Sequence, residues 1–265
     1  MKLKDITRDK RLLILGGSKT GKTRLLGTLC QVVPTLYITG DKDGLDTLEA
    51  MGVDPEILLI EDWRDIWKIW QSIQKLAPDF KALAVDDLGS IQRAARRKVE
   101  TSGRGAAEER MAPADRLATI QRQLMQGDRR LQMQQWGELA ISVETFLQAL
   151  LGLSIPLKVV TVLEELREHP RSGAECLWPN LDGSIRYDLP AYFSLIGSTF
   201  VTADQNAASY WLTTRPHSRI PTGERYGAPR TWENPTMLRV LKHINRAEQP
   251  EDAETPRERA TGVGI

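Results

Sequence analysis

Apolar positions in this chain come in two patterns, short solid runs and longer stripes at three- and four-residue spacing. Residues 11–15, RLLIL, form a solid run that ends at Gly16 and reads as a buried strand. Residues 22–31, KTRLLGTLCQ, carry helical spacing and are stopped by Pro34. TLYIT at 35–39 is β-branched and aromatic, a second strand, and ILLI at 57–60 is another short apolar run. In 61–76, EDWRDIWKIWQSIQKL, the residues Trp63, Ile66, Trp67, Trp70 and Ile73 make one apolar stripe of a helix packed on the sheet. Glu61 and Asp62 stand at its positive end. ALAV at 82–85 runs straight into Asp86 and Asp87.

Residues 131–152 predict a longer amphipathic helix, and LKVVTV at 157–162 another buried strand. Within 184–204 the pattern predicts a short strand, a helical turn near Pro190 and a strand, with 208–214 as its hairpin partner. Strands alternating with helices predict an α/β fold whose mainly parallel sheet is covered on both faces, followed by a β-leaning C-terminal extension.

Composition narrows the picture. The 265 residues suit one sizeable domain, expected over 1–245, and 41% apolar with 27% charged residues is ordinary for a soluble globular protein. A formal net charge of +1 excludes a global polycation, so nucleic-acid binding would need a local patch. Such a patch exists about residues 90–130, where Arg93 to Arg130 holds ten basic against five acidic residues. That stretch reads as a charged helix, a mobile loop and a second helix. The tail from Arg246 is charged and Pro-containing, and it is expected to be disordered. Two cysteines without a CxxC pattern argue against a disulfide framework or structural zinc, and the three histidines are scattered. No run approaches the roughly 20 apolar residues that cross a bilayer, and the first apolar run is too short for a signal-peptide core. A cytoplasmic setting is expected, with no membrane association.

The candidate chemistry centres on GGSKTGKT, which fits G-x-x-x-x-G-K-[ST] at Gly16, Gly21, Lys22 and Thr23. A loop that wraps a phosphate needs successive backbone N–H groups pointing inward, which glycine permits. Gly16, Gly17, Ser18, Lys19, Thr20, Gly21, Lys22, Thr23 and the following Arg24 are the expected nucleotide contacts. Lys22 would reach the β- and γ-phosphates, and Thr23 would place its hydroxyl on Mg²⁺. The helix that begins there adds its N-terminal partial charge. ATP with Mg²⁺ is the expected ligand.

Asp86, at the end of an apolar strand, would hold Mg²⁺ through water, with Asp87 sharing that role or capping the next helix. Asp41 and Asp43, just past TLYIT, are candidates to activate water, although DKDG is also good turn chemistry. Thr161, Glu164 and Glu165 follow the next strand and could face the γ-phosphate, while surface charge is the plainer role for the glutamates. Arg215, Arg219, Arg225 and Arg230 are candidates for a finger reaching a neighbouring subunit. Helical spacing assigns Trp63, Trp67 and Trp70 to the core rather than to base stacking.

The stretches LLILGGSKTGKT, YITGDKDGLD, ALAVDDLGS, QQWGEL…FLQALLGLSIPLKVVTVLEE and PNLDGSIRYDLPAYFSLIG…YWLTTRPHSR resemble phage-type RecA-like ATPases, including the short RecA-like single-strand annealing proteins of phages. The resemblance spans roughly 11–240 and implies a RecA-like core. It puts the water-activating acid at Asp41, where such enzymes usually carry Glu, and the metal-side aspartate at Asp86. It also puts a polar sensor near Thr161 and an inter-subunit finger at Arg219. It implies assembly on single-stranded DNA, work in recombination or annealing beside a single-strand-binding protein, and a homo-oligomer. The DNA-contact candidates are Arg93, Arg96, Arg97, Lys98 and Arg104, although a solvated helix face is the plainer role for them. A non-hydrolysing ATP-binding switch and a small-molecule kinase are the other function classes the sequence leaves open.

Overall fold

The computed structural model describes residues 9–102, 133–168, 173–203 and 208–248. The predicted runs form strands β1 (Lys10–Gly16), β2 (Thr35–Thr39), β3 (Glu56–Leu59), β4 (Ala82–Asp86) and β5 (Leu157–Glu168). Helices α1 (Lys22–Cys30), α2 (Leu45–Ala50), α3 (Ile66–Leu76), α4 (Leu88–Ser102) and α5 (Met133–Leu151) connect or cover them. A further part contains β6 (Glu175–Pro179), the short helix α6 (Ile185–Asp188), β7 (Leu195–Ala203) and β8 (Ala208–Thr213). It ends with β9 (Gly223–Glu224), β10 (Thr231–Glu233) and α7 (Met237–Glu248).

The sheet runs β10-β8-β7-β1-β5-β4-β2-β3, with β6 on β5 and β9 on β7. Strands β3, β2, β4, β5, β1 and β7 are mutually parallel, and β8, β10, β6 and β9 pair antiparallel. This is the expected α/β architecture, a mainly parallel sheet with a C-terminal β extension. Because both faces are covered, the parallel strands need apolar side chains at nearly every position. Leu13, Leu15, Ile38, Leu83 and Val85 point to one face, against α3, α4 and α5. Leu12, Ile14, Tyr37, Ala82 and Ala84 point to the other, against α1 and α7. In α5 the residues Leu139, Val143, Phe146, Leu147 and Leu150 repeat at helical spacing, and each is buried. Burying such a side chain stabilises by about 1.5–3 kcal/mol.

The structure departs from the sequence reading in four places. The helix over 61–76 opens with a 3-10 turn, Trp63–Asp65, capped by the Asp62 carboxylate on the Arg64 N–H at 2.9 Å. Trp63 is buried, but Trp67 is 66% exposed, because Ile69 and Leu76 pack on the core in its place. The short strand expected at the start of 184–204 is instead α6 followed by a 3-10 turn, Leu189–Tyr192, which buries Ile185 and Leu189. β5 continues to Glu168 because β6 pairs with its far half, Glu164 opposite Pro179 through Glu168 opposite Glu175. Finally, α7 carries regular structure to Glu248, past the expected start of the tail; residues 249–265 lie outside the described residues. Of the expected 90–130 insertion, α4 is described to Ser102 and residues 103–132 lie outside.

Candidate nucleotide site

β1 delivers the Gly16–Thr23 loop to the C-terminal edge of the sheet, and α1 begins at Lys22. Two residues turn the loop back on itself through left-handed backbone, Lys19 at φ 62° and Gly21 at φ 91°. Gly21 has a second constraint, since an added Cβ would lie 3.0 Å from the Tyr210 ring. No side chain caps the start of α1 and no acid sits in its first turn. Its N–H groups and partial positive charge therefore face the loop without competition from a carboxylate, as anion binding needs. The Lys22 ammonium lies inside the loop and donates to the Gly16 carbonyl at 2.9 Å and the Gly17 carbonyl at 2.6 Å. Burial lowers its pKa, opposed by the negative charges of Asp86, Asp87 and Glu164. Thr20 ties the loop to β7, which lies beside β1 in the sheet, its hydroxyl 2.7 Å from that of Thr199.

β4 lies two strands from β1, with β5 between them. That order brings Asp86 opposite the loop. Its Oδ2 accepts from the Thr23 hydroxyl at 2.6 Å and the Tyr37 hydroxyl at 2.6 Å, and its Oδ1 accepts from the Thr161 hydroxyl at 2.5 Å. A hydroxyl and a carboxylate from the two sides of a phosphate loop are the oxygen donors Mg²⁺ takes when substrate phosphates complete its shell. The donor set therefore fits a Mg²⁺–nucleotide, with Thr23 and Asp86 as its protein side.

Asp87 is used differently. Its Oδ1 accepts from the Gly89 N–H at 2.5 Å, and Arg93 lies 3.7 Å from its Oδ2. Its backbone carbonyl accepts from the Ser90 hydroxyl at 2.7 Å. It thus holds the first turn of α4, while burial raises its pKa against the pull of Arg93. Asp41 and Asp43 form one exposed turn in which the Asp43 N–H donates to Asp41 Oδ1 at 3.1 Å.

Glu164 and Glu165 part company. Glu165 turns to Arg186 and Arg167. Glu164 stands next to the loop, beside Gly17, and accepts from the Ser198 hydroxyl at 3.4 Å. Burial raises its pKa, with Lys22 the largest opposing influence. The sequence signal for this was weak, since the two adjacent glutamates look alike until the β5 register is known. That register places Gly16 beside Leu163.

Tyr210 was not a sequence candidate. β8 brings its ring over Gly21, and the Arg24 guanidinium stands 5.8 Å from the ring centroid. Tyr210, Gly21, Arg24, Met51, Asn234 and Thr236 line a cavity of about 540 Å³ beside the start of α1. Nothing local in SYWLT marks this tyrosine, because its position depends on the β7–β8 hairpin.

Other candidates lie apart from the loop. Arg219 is in the segment alongside β6, where its carbonyl accepts from the Leu177 N–H at 2.7 Å and its N–H donates to His217 at 3.1 Å. No described contact joins it to Lys22, Thr23 or Asp86. On α4, Arg93 pairs with Asp87, Arg96 with Asp182 at 3.4 Å, and Arg97 donates to the Glu61 carbonyl at 3.0 Å. Lys98 is exposed on the same helix, and Arg104 lies outside the described residues. Among the described residues no three His, Cys, Asp or Glu side chains gather as a metal site. No described helix is long and apolar enough to cross a membrane. Cys30 and Cys176 are free thiols, and burial pushes Cys30 up to about 11.

Curated sequences give no match. Among solved structures, a KaiC-like protein from the hyperthermophilic archaeon Pyrococcus horikoshii OT3 is similar over 84% of each chain, at 13% identity and a TM-score of 0.40. The flagellar accessory protein FlaH from Methanocaldococcus jannaschii is similar over 83% of this chain and 84% of its own, at 8% identity and a TM-score of 0.37. The AAA domain family matches residues 8–226, which take in the loop, Asp86, Glu164 and the β7–β8 hairpin. With that match over most of its length, the chain belongs to the AAA domain family.

Proposed function

We infer that this protein binds ATP with Mg²⁺ in the Gly16–Thr23 loop and hydrolyses it. The observation that carries this is the convergence of three groups, two at the start of α1 and one at the end of β4. Lys22 sits inside the loop, and the Thr23 hydroxyl meets the Asp86 carboxylate at 2.6 Å. Lys22 and the α1 N-terminus would bind the phosphates, and Thr23 with Asp86 would hold Mg²⁺, which supplies charge neutralisation at the transferred phosphate.

For water activation the reading favours Glu164 over Asp41. A general base works best with a pKa lifted toward the operating pH. Glu164 is a carboxylate beside Lys22 whose pKa burial raises, and unlike Asp87 it does not hold a helix turn, whereas Asp41 is exposed and engaged in its own turn. The slow-turnover switch is the second reading, supported by that same engagement of Asp41.

The reading extends to single-stranded DNA, in recombination or annealing and as a homo-oligomer. Its support is the resemblance to phage RecA-like proteins together with the position of α4. That basic helix starts directly after Asp86 and Asp87 and is tied to Asp87 through Arg93 and Ser90. DNA held by residues 93–98 of α4 would lie about two to three helical turns from the Mg²⁺ side of the site. The test is the ATPase rate with and without oligo(dT). Turnover stimulated by the oligonucleotide, and abolished in Lys22→Ala, is expected. Glu164→Gln should retain ATP binding and lose turnover by roughly 10²-fold or more, while Asp41→Asn keeps it. Phosphate transfer to a small metabolite, or tight ATP binding without turnover under either condition, would rule the reading out.

A further inference from the structure

A second concave site lies beyond the β10 edge of the sheet. It is a cavity of about 480 Å³ lined by Tyr226, Arg230, Trp232, Arg239, Lys242 and His243. α7 presents Arg239, Lys242 and His243 at spacings of three and four, hence on one face. The connection before β10 contributes Arg230.

Behind the cavity, the fully buried side chain of Glu224 meets His243, with Oε1 2.6 Å from Nε2. Trp232 packs edge-on against the same imidazole at 5.5 Å. These contacts orient the ring and leave Nδ1 for another partner. Glu224 Oε2 is buried with no hydrogen-bond partner among the described residues, so the acid is committed to His243 and not to the arginines.

The three cations around the opening are not neutralised. Arg239 donates to the Glu233 backbone carbonyl at 2.7 Å, which positions the guanidinium without cancelling its charge. The Glu233 carboxylate accepts from the Ser209 hydroxyl at 2.9 Å. Among the described residues no ion pair involves Arg230, Arg239 or Lys242. Elsewhere in the molecule Arg64, Arg93, Arg96 and Arg186 each have a carboxylate. Three like charges converging on one hollow raise its potential, and planar guanidinium groups match the oxygens of a phosphate.

We propose that this cavity is a second anion site, separate from the P-loop, that takes a phosphate group. The group comes either from a free phosphorylated ligand or from a polynucleotide backbone. The other face of α7 rests on the P-loop helix. The Met237 N–H donates to the Thr28 hydroxyl at 2.9 Å, and Val240 and Ile244 pack with Leu25 and Leu29.

Calorimetric titration of the full chain with inorganic pyrophosphate tests the proposal. The parent should show two classes of site. Lys22→Ala should keep the α7 site, and Arg239→Gln with Lys242→Gln should weaken that site at least tenfold while leaving the P-loop site. Both α7 residues are exposed, so an unchanged thermal melt separates lost binding from lost fold. A single class of site that disappears in Lys22→Ala overturns the proposal, as does a second site unchanged by the double substitution. An oligo(dT) titration then identifies the source. Weaker oligonucleotide binding by the double variant assigns the seat to a nucleic-acid backbone, and unchanged binding assigns it to a free phosphorylated ligand.

Discussion

Asp86 shows how one carboxylate is made tolerable in the core. Only 6% exposed, it accepts from Thr23, Tyr37 and Thr161, so both oxygens are hydrogen-bonded. A buried acid lacking such donors would face a desolvation cost of several kcal/mol. Glu164 is less well supplied, and burial holds its pKa above the ordinary 4.5. The sign of its effect follows from proton counting. Between its unfolded and folded pKa the native chain binds the extra proton, so stability falls as pH rises through that window and stays lower above it. Glu164→Gln, which cannot ionise, is therefore expected to be more stable than the parent at about pH 7, and to lack this fall. Urea denaturation across the window checks it, and a parent that gains stability on the variant as pH rises would contradict the assignment. At this scale the GGSKTGKT loop was fully legible, because its chemistry is set by residues within one turn of chain. The distinction between Glu164 and Glu165 was not, because it depends on how far β5 extends and which residue of β1 lies beside it.

At the scale of elements, α3 separates pattern from placement. Its five-residue stripe predicted a buried face, and the helix is there. However, the packed stripe also includes Ile69 and Leu76, so its centre lies toward Ile73 and Trp67 falls beyond its edge. The 3-10 turn at Trp63–Asp65 adds to this, since each of its residues advances further around the axis than an α-helical residue does. Trp63 lies edge-on to Phe146, with ring centroids 5.5 Å apart. Trp63→Ala is expected to cost about 3–5 kcal/mol, and Trp67→Ala less than about 0.5 kcal/mol, as measured by chemical denaturation. Equal effects would mean that both rings share one core. The helical turn at 185–192 was misread in part for a related reason. A short segment with Ile185 and Leu189 four apart satisfies strand and helix templates alike, and burial against the core decides between them.

For the whole molecule, the P-loop helix links several parts. α1 begins at the phosphate loop, packs on β1 and β4 and, through Leu25 and Leu29, joins the cluster that includes α7. A ligand held by Lys22, Thr23 and Asp86 should therefore stabilise the entire fold. A non-hydrolysable ATP analogue with Mg²⁺, at about 100 times its Kd, is expected to add about 2.7 kcal/mol to unfolding stability. Lys22→Ala should remove that gain. A thermal melt with and without the analogue reads it, and a gain that persists in Lys22→Ala would place the analogue elsewhere.

The amino-acid sequence by itself determined the alternation of strands and helices, the phosphate loop and the acid at the end of β4. Each rests on spacing within a short segment, where backbone sterics and apolar periodicity act. Tertiary structure alone decided what meets at the site. Inserting β5 between β1 and β4 put Thr161 on Asp86 and Glu164 beside the loop. The β7–β8 hairpin brought Tyr210 over Gly21, and the return of α7 along β10 gathered Arg230, Arg239 and Lys242 around one hollow. These meetings join residues far apart in the chain. They are set by hydrogen-bond register and by which apolar faces pack together, neither of which any single segment carries.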